Sequence, residues 1–227
     1  MNFKLISIDI FQTLVDVSTI QEHIWRIFLG NAYSPELGAK GGDLASDKIL
    51  EYFSKHIAQH STFVTVKSIF SYCYSEVFKE LNINFDPEKA AHISAHHHNF
   101  VAPFNDAEVF LNHIQDKYTY CISSDADNDM IEGLNILKNS DKVFTSENLQ
   151  AYKMSEQNIF FKTIIDYYRI QPHEMIHIGD SAADIVNPKR LGITACWINR
   201  NKANWRNDIK PDYVVESLDE LSDLLPL

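Results

Sequence analysis

Residues 7–16 read SIDIFQTLVD and place a carboxylate, Asp9, directly after a short apolar segment. That segment, residues 3–8, has the length and apolar character of a buried strand in a parallel sheet. Asp9 would then lie at the carboxyl end of the strand, which is the edge where open α/β sheets bind ligands. Alternatively, Asp9 only caps a helix or ends the strand. The other strand ends of the chain decide between these two interpretations.

Further strand-like segments follow in the second half of the chain, at residues 118–124, 142–146, 174–179, 193–198 and 212–216. Segments with helical spacing alternate with them, at residues 130–137, 156–168, 183–192 and 217–225. This alternation of strands and helices is typical of βα units. The sequence therefore predicts the α/β class, with a doubly wound, Rossmann-like parallel sheet.

A long helical stretch separates the first strand from these segments. Its apolar residues recur every three or four positions in residues 20–29, 48–57 and 66–81. Helix breakers at residues 34–42 and 82–88 indicate short connections between helices. We therefore predict a discontinuous α/β core, residues 1–16 and 101–227, into which an all-helical cap domain, residues 17–100, is inserted.

The composition limits the classes of partner. The 227 residues carry a formal net charge of −11, with a pI near 5.3. This acidity disfavours a general affinity for nucleic acid or for an anionic membrane surface. The start of the chain has no secretory character and no run of about 18 apolar residues indicates a membrane span, so we expect a cytoplasmic protein. A small anionic ligand would need a local basic pocket or a metal ion.

Polar residues follow several of the predicted strands and gather in four segments. These residues are Asp9; Ser123, Ser124 and Asp125; Lys153; and Asp180, Ser181 and Asp184. In this fold class the loops that carry them share one edge of the sheet. Three carboxylates at that edge would repel one another unless a cation such as Mg²⁺, which prefers oxygen ligands, neutralised them. Lys153 would balance a substrate anion or keep a nucleophile ionised, and the Ser124 hydroxyl would donate to a transferring oxygen.

In their order along the chain, these segments resemble the motifs of the haloacid dehalogenase-like (HAD) hydrolase superfamily. DIFQTL resembles the nucleophile motif D-x-D-G-T-L, SSDAD the Ser or Thr motif, YKM the Lys motif, and GDSAAD the acidic loop G-D-x-x-x-D. The resemblance covers nearly the whole chain, including the inserted cap. It implies that Asp9 attacks the substrate and forms a covalent aspartyl intermediate, which water then hydrolyses.

The resemblance also assigns the remaining roles. Ser124 and Lys153 would assist catalysis, and Phe11, Gln12 and Asp125 would contact the substrate. The expected Mg²⁺ ligands are Asp9, the backbone carbonyl of Phe11, Asp180 and Asp184.

Two departures from the family pattern bear on the chemistry. Family phosphatases carry a second Asp two residues after the nucleophile, as a general acid, whereas this chain has Phe11. A phenyl ring transfers no proton, and general acid catalysis typically contributes about 10²–10⁴-fold. Gln12 also replaces the usual Gly and is expected to alter the local turn.

The first motif and the acidic loop favour different reactions. An apolar residue in the place of Phe11 occurs in relatives that break carbon–halogen or carbon–phosphorus bonds, where no alkoxide needs a proton. The dehalogenase branch generally dispenses with the metal, however, and has a Ser-Asn motif where this chain has GDSAAD. We predict a Mg²⁺-dependent hydrolase of phosphatase type that acts on a small anionic metabolite as a monomer or homodimer. The alternatives are a metal-independent dehalogenase that attacks carbon, and a catalytically silent relative that binds a ligand or partner.

Some other residues invite interpretation. Neighbouring side chains on a helix diverge, so His96–His98 are expected to form a solvated helix end rather than a metal site. Trp25, Trp197 and Trp205 are expected to pack in the core rather than form a binding cage. Arg26 could reach the active cleft from the cap, but a salt bridge or surface role is the alternative. The cysteines, Cys73, Cys121 and Cys196, are predicted to be buried thiols rather than disulfides or zinc ligands.

Overall fold

A computed structural model describes residues 3–57, 62–222 and 225 of the chain. In this part of the chain the main sheet has six parallel strands. Their spatial order is β5 (Lys142–Thr145), β4 (Thr119–Ser124), β1 (Leu5–Ile8), β6 (Met175–Gly179), β7 (Thr194–Ile198) and β8 (Tyr213–Val215). Each predicted strand is present, and the predicted fold class is confirmed. β1 and β6 are buried along their whole length, as expected of central strands covered on both faces.

The strand order places a ligand-binding crevice next to β1. From β1 the chain first builds outward to β4 and β5, then returns to the other side of β1 and adds β6, β7 and β8. The order therefore reverses between β1 and β6, and doubly wound sheets bind ligands at such a switch point, outside the carboxyl ends of the strands. Ile8 lies opposite both Ile122 and Ile178, so β1 and β6 end within one residue of each other and β4 continues two residues further.

Helices flank the sheet. Those that follow the insertion are α5 (Ala107–Ile114), α6 (Ser146–Leu149), α7 (Ile159–Tyr168) and α8 (Ala182–Leu191). Phe160, Phe161 and Ile164 of α7 are fully buried and belong to one hydrophobic cluster with Leu5 and Met175 of the sheet. The packed apolar stripe of α7 explains why its sequence predicted a helix so directly.

The helical insertion leaves and re-enters the core through a short antiparallel ribbon of β2 (Val15–Asp16) and β3 (Ala102–Pro103). Its helices are α1 (Ser18–Leu29), α2 (Pro35–Tyr52), which continues into a π-helical turn at Phe53–Ile57, α3 (Val66–Leu81) and α4 (Pro87–His97). Aromatic rings pack edge to face within and between these helices. Phe28 of α1 lies 5.4 Å from Trp25 of the same helix and 5.2 Å from Tyr74 of α3, between ring centroids. The division into a core and a cap at residues 17–100 stays a prediction.

The expected helix breaker at residues 34–42 is wrong, because this segment forms the first half of α2. Ser34 caps the helix by accepting a hydrogen bond from the Leu37 amide, and Pro35 occupies the first turn, where it is tolerated. The glycines are retained for packing: a Cβ on Gly41 would lie 2.5 Å from the Trp25 ring. Close approach of two helices therefore outweighs the low helix propensity of glycine here.

The expected helix at residues 130–137 is also wrong. This segment forms 3₁₀ turns at Asn128–Met130 and Asn135–Leu137, and the Gly133 amide between them donates to Asn99 Oδ1 at 2.6 Å. At residues 217–225 the structure has a 3₁₀ helix, Leu218–Ser222, in place of the expected α-helix, and residues 223–224 lie outside the described part. The expected docking of this segment is confirmed, since Leu221 is fully buried.

Candidate active site

The switch point of the sheet brings Asp9 and Asp180 together. Asp9 directly follows β1 and Asp180 directly follows β6. The Asp9 backbone amide donates to the Ile178 carbonyl at 2.9 Å, so the ladder between the two strands continues to the first residue of the loop. Asp9 is only 6% exposed. A carboxylate in this position is held by the sheet itself rather than by a mobile loop.

Lys153 connects the carboxylates of two motifs. Its Nζ donates to Asp9 Oδ1 at 2.5 Å and to Asp184 Oδ1 at 2.6 Å, and the residue is 2% exposed. Its backbone is held as well, because its amide donates to Asp125 Oδ1 at 3.0 Å and its carbonyl accepts from Asn187 Nδ2 at 2.7 Å. The ammonium is therefore fixed beside Asp9 at both ends of the side chain.

Asp184 is hydrogen-bonded through both carboxylate oxygens. Oδ2 accepts from the Ser181 amide at 3.1 Å and from the Ser181 hydroxyl at 2.6 Å, which caps the start of α8. Oδ1 accepts from Lys153 and, at 3.0 Å, from His177 Nε2. Gly179 makes this close approach possible, because a Cβ there would lie 2.3 Å from Asp184 Cγ.

The site contains more negative than positive charge. In the described part of the chain, Asp9, Asp125, Asp180 and Asp184 share one buried ammonium, that of Lys153. Burial raises the pKa of Asp9 to about 6 and that of Asp125 to about 7, and Lys153 opposes both shifts. Burial, together with the charges of Asp184 and Asp9, raises the pKa of Asp180 well above its usual range. Such raised pKa values mark carboxylates that lack a full positive counterpart.

In Asp184 and Lys153, by contrast, the pKa shifts favour the charged form of each group. Although burial alone would raise it, the pKa of Asp184 is held well below its usual range by Lys153 and His177. Although burial alone would lower it, the pKa of Lys153 is raised well above its usual range by Asp184 and Asp9. Both groups are therefore charged at neutral pH.

An arrangement suited to a cation is present. Asp9, Asp180 and Asp184 each offer a carboxylate oxygen, and these oxygens lie within 4.8 Å of one another. Among the described residues, no other cluster of three or more His, Cys, Asp or Glu side chains has this arrangement. Oxygen donors with a net negative charge match the preference of Mg²⁺ or Ca²⁺.

At the position of the missing acid, the side chain of Phe11 packs against a second ring. The Phe11 ring packs edge-on against the His98 ring, with centroids 5.0 Å apart. His98 Nδ1 lies 2.7 Å from the Ser94 carbonyl and therefore carries the hydrogen. Burial lowers the pKa of His98 to about 4, so its other nitrogen has no proton to donate at neutral pH. Gln12 adopts a left-handed φ of 62°, so the turn that glycine favours is kept despite the substitution.

The burial of His98 corrects the expectation of a solvated histidine run. His96 is exposed and His97 is half-buried, but His98 is only 8% exposed and lies between Phe11 and Phe70. That these three histidines bind no metal together stays a prediction.

Of the remaining predicted polar residues, some lie at the cleft and others form contacts within the sheet or at a helix start. Ser124 ends β4 at the edge of the cleft and is buried, and Asp125 anchors the backbone of Lys153. Ser123, one residue earlier, points into the sheet instead and lies 2.6 Å from Ser7 through the two hydroxyl oxygens. Ser181 caps α8. The alternation of side chains along a strand explains why neighbours in one motif have unlike surroundings.

Several residues that shape the site were not predicted from the sequence. His177 contacts Asp184, Asn187 holds the Lys153 loop, and Asp127 accepts the Val66 and Lys67 amides at the start of α3. A signal existed for His177: it is a polar residue inside an otherwise apolar strand, MIHIG. Without the register of the sheet, its partner could not be named.

Other expectations are confirmed. The free cysteines of the described residues, Cys73, Cys121 and Cys196, are all buried. Trp25 and Trp197 are buried, and Trp205 packs on Trp197. Arg26 pairs with Glu22 at 2.6 Å on an exposed helix face, which is the surface role that was the alternative. None of the helices in the described part combines the length and apolar character that a membrane crossing requires.

Comparison with known proteins identifies the family of the chain. The family model for haloacid dehalogenase-like hydrolases matches residues 44–198. The chain belongs to this family. The matched segment includes Ser124, Lys153, Asp180 and Asp184 but begins after Asp9, which the fold brings to the same site. By sequence, no curated protein is significantly similar to this HAD hydrolase.

Solved structures show the same fold over the whole chain. YfnB of Bacillus subtilis, a candidate HAD hydrolase bound to magnesium, is 15% identical with a TM-score of 0.84, and all of both chains is covered. The L-2-haloacid dehalogenase of Xanthobacter autotrophicus is 17% identical with a TM-score of 0.83, and 98% of each chain is covered. The L-2-haloacid dehalogenase RSc1362 is 14% identical with a TM-score of 0.81. At these identities the likeness shows the fold and not the substrate.

Proposed function

We propose that this HAD hydrolase depends on Mg²⁺ and uses Asp9 to attack a phosphoryl group of a small anionic metabolite. The observation that carries the proposal is the carboxylate of Asp180 beside those of Asp9 and Asp184, with oxygens within 4.8 Å. An enzyme that attacked carbon without a metal would have no use for this third carboxylate, which raises the repulsion that the site must overcome.

The residues present fit a divalent cation. Asp9, Asp180, Asp184 and the backbone carbonyl of Phe11 would hold it, and the raised pKa values of Asp9 and Asp180 identify where positive charge is lacking. When bound, Mg²⁺ would neutralise the anionic substrate and polarise the oxygens of its phosphoryl group. Asp184 is already bonded to four donors, which favours Asp9 and Asp180 as the more direct ligands.

The side chains of the protein account for the covalent chemistry. Lys153 holds Asp9 ionised, so an Asp9 carboxylate oxygen can form a bond to phosphorus while the leaving oxygen departs with its electron pair. Water then cleaves the aspartyl phosphate and returns the carboxylate. Ser124 would donate to a phosphoryl oxygen, and Phe11, Gln12 and Asp125 would contact the substrate. Since Phe11 and His98 supply no proton, substrates with a stable leaving group are favoured.

We propose further that residues 17–100 act as a cap over this site. Contacts tie the helical insertion to the loops that carry the catalytic residues: Tyr152, next to Lys153, donates to the Val64 carbonyl at 2.8 Å. Asp127, after β4, accepts two amides at the start of α3. Closure of such an insertion excludes water from the reaction.

A specific observation supports a second candidate, a dehalogenase that attacks carbon. Halide needs no proton when it leaves, so the apolar contact between Phe11 and His98 would cost such an enzyme nothing. In that reaction an Asp9 oxygen would bond to carbon, halide would leave with the electron pair, and water would hydrolyse the ester.

A substrate panel separates the two candidates. Phosphate esters and 2-haloacids are assayed with the full chain, with Mg²⁺ and with a chelator in its place. We expect phosphate release from aryl phosphates that requires Mg²⁺, and no halide release. Halide release that the chelator does not diminish would overturn the phosphatase proposal in favour of the dehalogenase.

The pKa of Asp9 predicts how Mg²⁺ binding depends on pH. At pH 5, Asp9 with a pKa of about 6 holds a proton that the cation must displace, whereas at pH 8 it is ionised. Apparent Mg²⁺ affinity should therefore fall about tenfold from pH 8 to pH 5 through this group alone, about 1.4 kcal/mol of ligand stabilisation. The measurement is the rise in melting temperature at a fixed excess of Mg²⁺, which should be larger at pH 8.

Metal-free melts at both pH values serve as the reference, because burial also lowers the pKa of His98 and His177, and these groups destabilise the fold as the pH falls. Their contribution cancels in the difference with and without Mg²⁺. Asp180→Asn should lose the Mg²⁺-induced rise at both pH values. A rise of equal size at pH 5 and pH 8 would contradict the assigned site.

A further inference from the structure

A buried chain of polar side chains crosses the centre of the sheet and ends at the active site. Ser123 of β4, Ser7 of β1 and His177 of β6 are each 0% exposed, and Ser7 lies directly opposite His177 in the sheet register. The Ser123 and Ser7 hydroxyl oxygens are 2.6 Å apart, and Ser7 Oγ is 2.9 Å from His177 Nδ1. His177 Nε2 is 3.0 Å from Asp184 Oδ1. Buried polar groups are costly unless they form hydrogen bonds, and each of these side chains is hydrogen-bonded to the next one in the row.

The direction of the hydrogen bonds follows from the chemistry of the groups. The Asp184 carboxylate pairs with the Lys153 ammonium at 2.6 Å and only accepts, so His177 Nε2 carries the hydrogen. A neutral imidazole with its hydrogen on Nε2 accepts at Nδ1, and the Ser7 hydroxyl lies 2.9 Å from that nitrogen. Ser7 in turn accepts from Ser123. One tautomer of His177 is thus selected, the one that donates toward the active site.

We infer that His177 is a positioning residue, which sets the place of the Lys153 ammonium beside the nucleophile by fixing Asp184. Asp184 Oδ1 is shared between His177 and Lys153, and Lys153 Nζ reaches Asp9 Oδ1 at 2.5 Å. His177 itself touches neither substrate nor reacting atoms. Phe161 packs edge-on against its ring, at 4.9 Å between centroids, so the ring has little freedom to turn.

The test compares two substitutions of similar length. His177→Gln keeps an N–H donor that can reach Asp184, whereas His177→Met fills the space without a donor. Partners of this kind around a catalytic carboxylate are worth about 10–100-fold in activity. We expect His177→Met to lower kcat by about 10–100-fold with KM changed less than threefold, and His177→Gln to stay within about fivefold of the wild type. Ser7→Ala, which leaves the contact between His177 and Asp184 in place, should lie closer to the wild type than His177→Met.

This inference rests on the proposed function only for its kinetic arm, which uses a substrate that the panel identifies. A second arm does not: the ammonium protons of Lys153 are followed by ¹H–¹⁵N NMR of the metal-free protein, where a firmly bonded ammonium exchanges slowly. The signal should persist in His177→Gln and broaden in His177→Met. Equal kcat and equal Lys153 signals in the two folded variants would overturn the positioning role. If the wild-type protein shows no turnover but the Lys153 signals of the two variants differ as expected, only the proposed function is overturned.

Discussion

Replacing Asp9 by Asn is expected to lower turnover of every substrate by at least about 10⁴-fold while the protein stays folded. Asn has the same shape, and its carbonyl oxygen can still accept from Lys153 Nζ, which now contacts Asp9 at 2.5 Å. The amide cannot form the covalent intermediate, however. It also removes one of the carboxylates that burial makes unfavourable when ionised, so the melting temperature of the metal-free protein should not fall at pH 8.

The matched control for this variant is Asp116→Asn, which makes the same chemical change at an exposed position. Its turnover should equal that of the wild type. Both variants are compared at equal folded fraction, by circular dichroism and thermal unfolding. Turnover that survives Asp9→Asn would exclude the covalent mechanism. Ligand binding by a wild-type protein that turns over no substrate would instead favour the third alternative, a catalytically silent relative.

The meeting of these polar residues at one edge of the sheet could be predicted from sequence because its determinants are local. Asp9 and Asp180 each follow a short apolar run, and the rule that parallel strands end at one edge brings them together without knowledge of any contact. The same rule places Lys153 near Asp9, although 144 positions separate them, and the structure shows the ion pair. What the rule cannot supply is the distribution of donors within the site.

The residues that were missed depend on long-range geometry. His177 acquires its role from the register that sets it opposite Ser7 and from the turn that folds Asp184 back over Gly179. The helix over residues 34–42 depends on Trp25, whose ring needs the space that Gly41 leaves. His98 is buried because it packs against Phe11, from the first motif. In each case a tertiary contact overrides the local preference of the sequence, and such contacts carry no periodic signal.

Phe11→Asp is expected to raise kcat/KM for alkyl phosphates by about 10–100-fold, and for activated aryl phosphates by less than about threefold. By the resemblance of the first motif, Phe11 stands where family phosphatases carry the acid that protonates the leaving oxygen, and the neighbouring His98 has no proton to offer in its stead. An alkoxide needs that proton, whereas an aryl oxide leaves without it. The measurement is the dependence of kcat/KM on leaving-group pKa, which should be steep for the wild type and flatter for the variant.

The loss of the ring contact with His98 is expected to cost about 1–3 kcal/mol of unfolding free energy, so rates are expressed per folded enzyme. Phe11→Asn is the matched control, because it loses the same contact and gains a polar group of the same size that transfers no proton. If Phe11→Asp and Phe11→Asn change both classes of substrate equally, proton transfer is not what Phe11 withholds. The site would then be suited to bonds whose cleavage needs no acid, and attack on carbon would become the better account of an aspartate followed two residues later by phenylalanine.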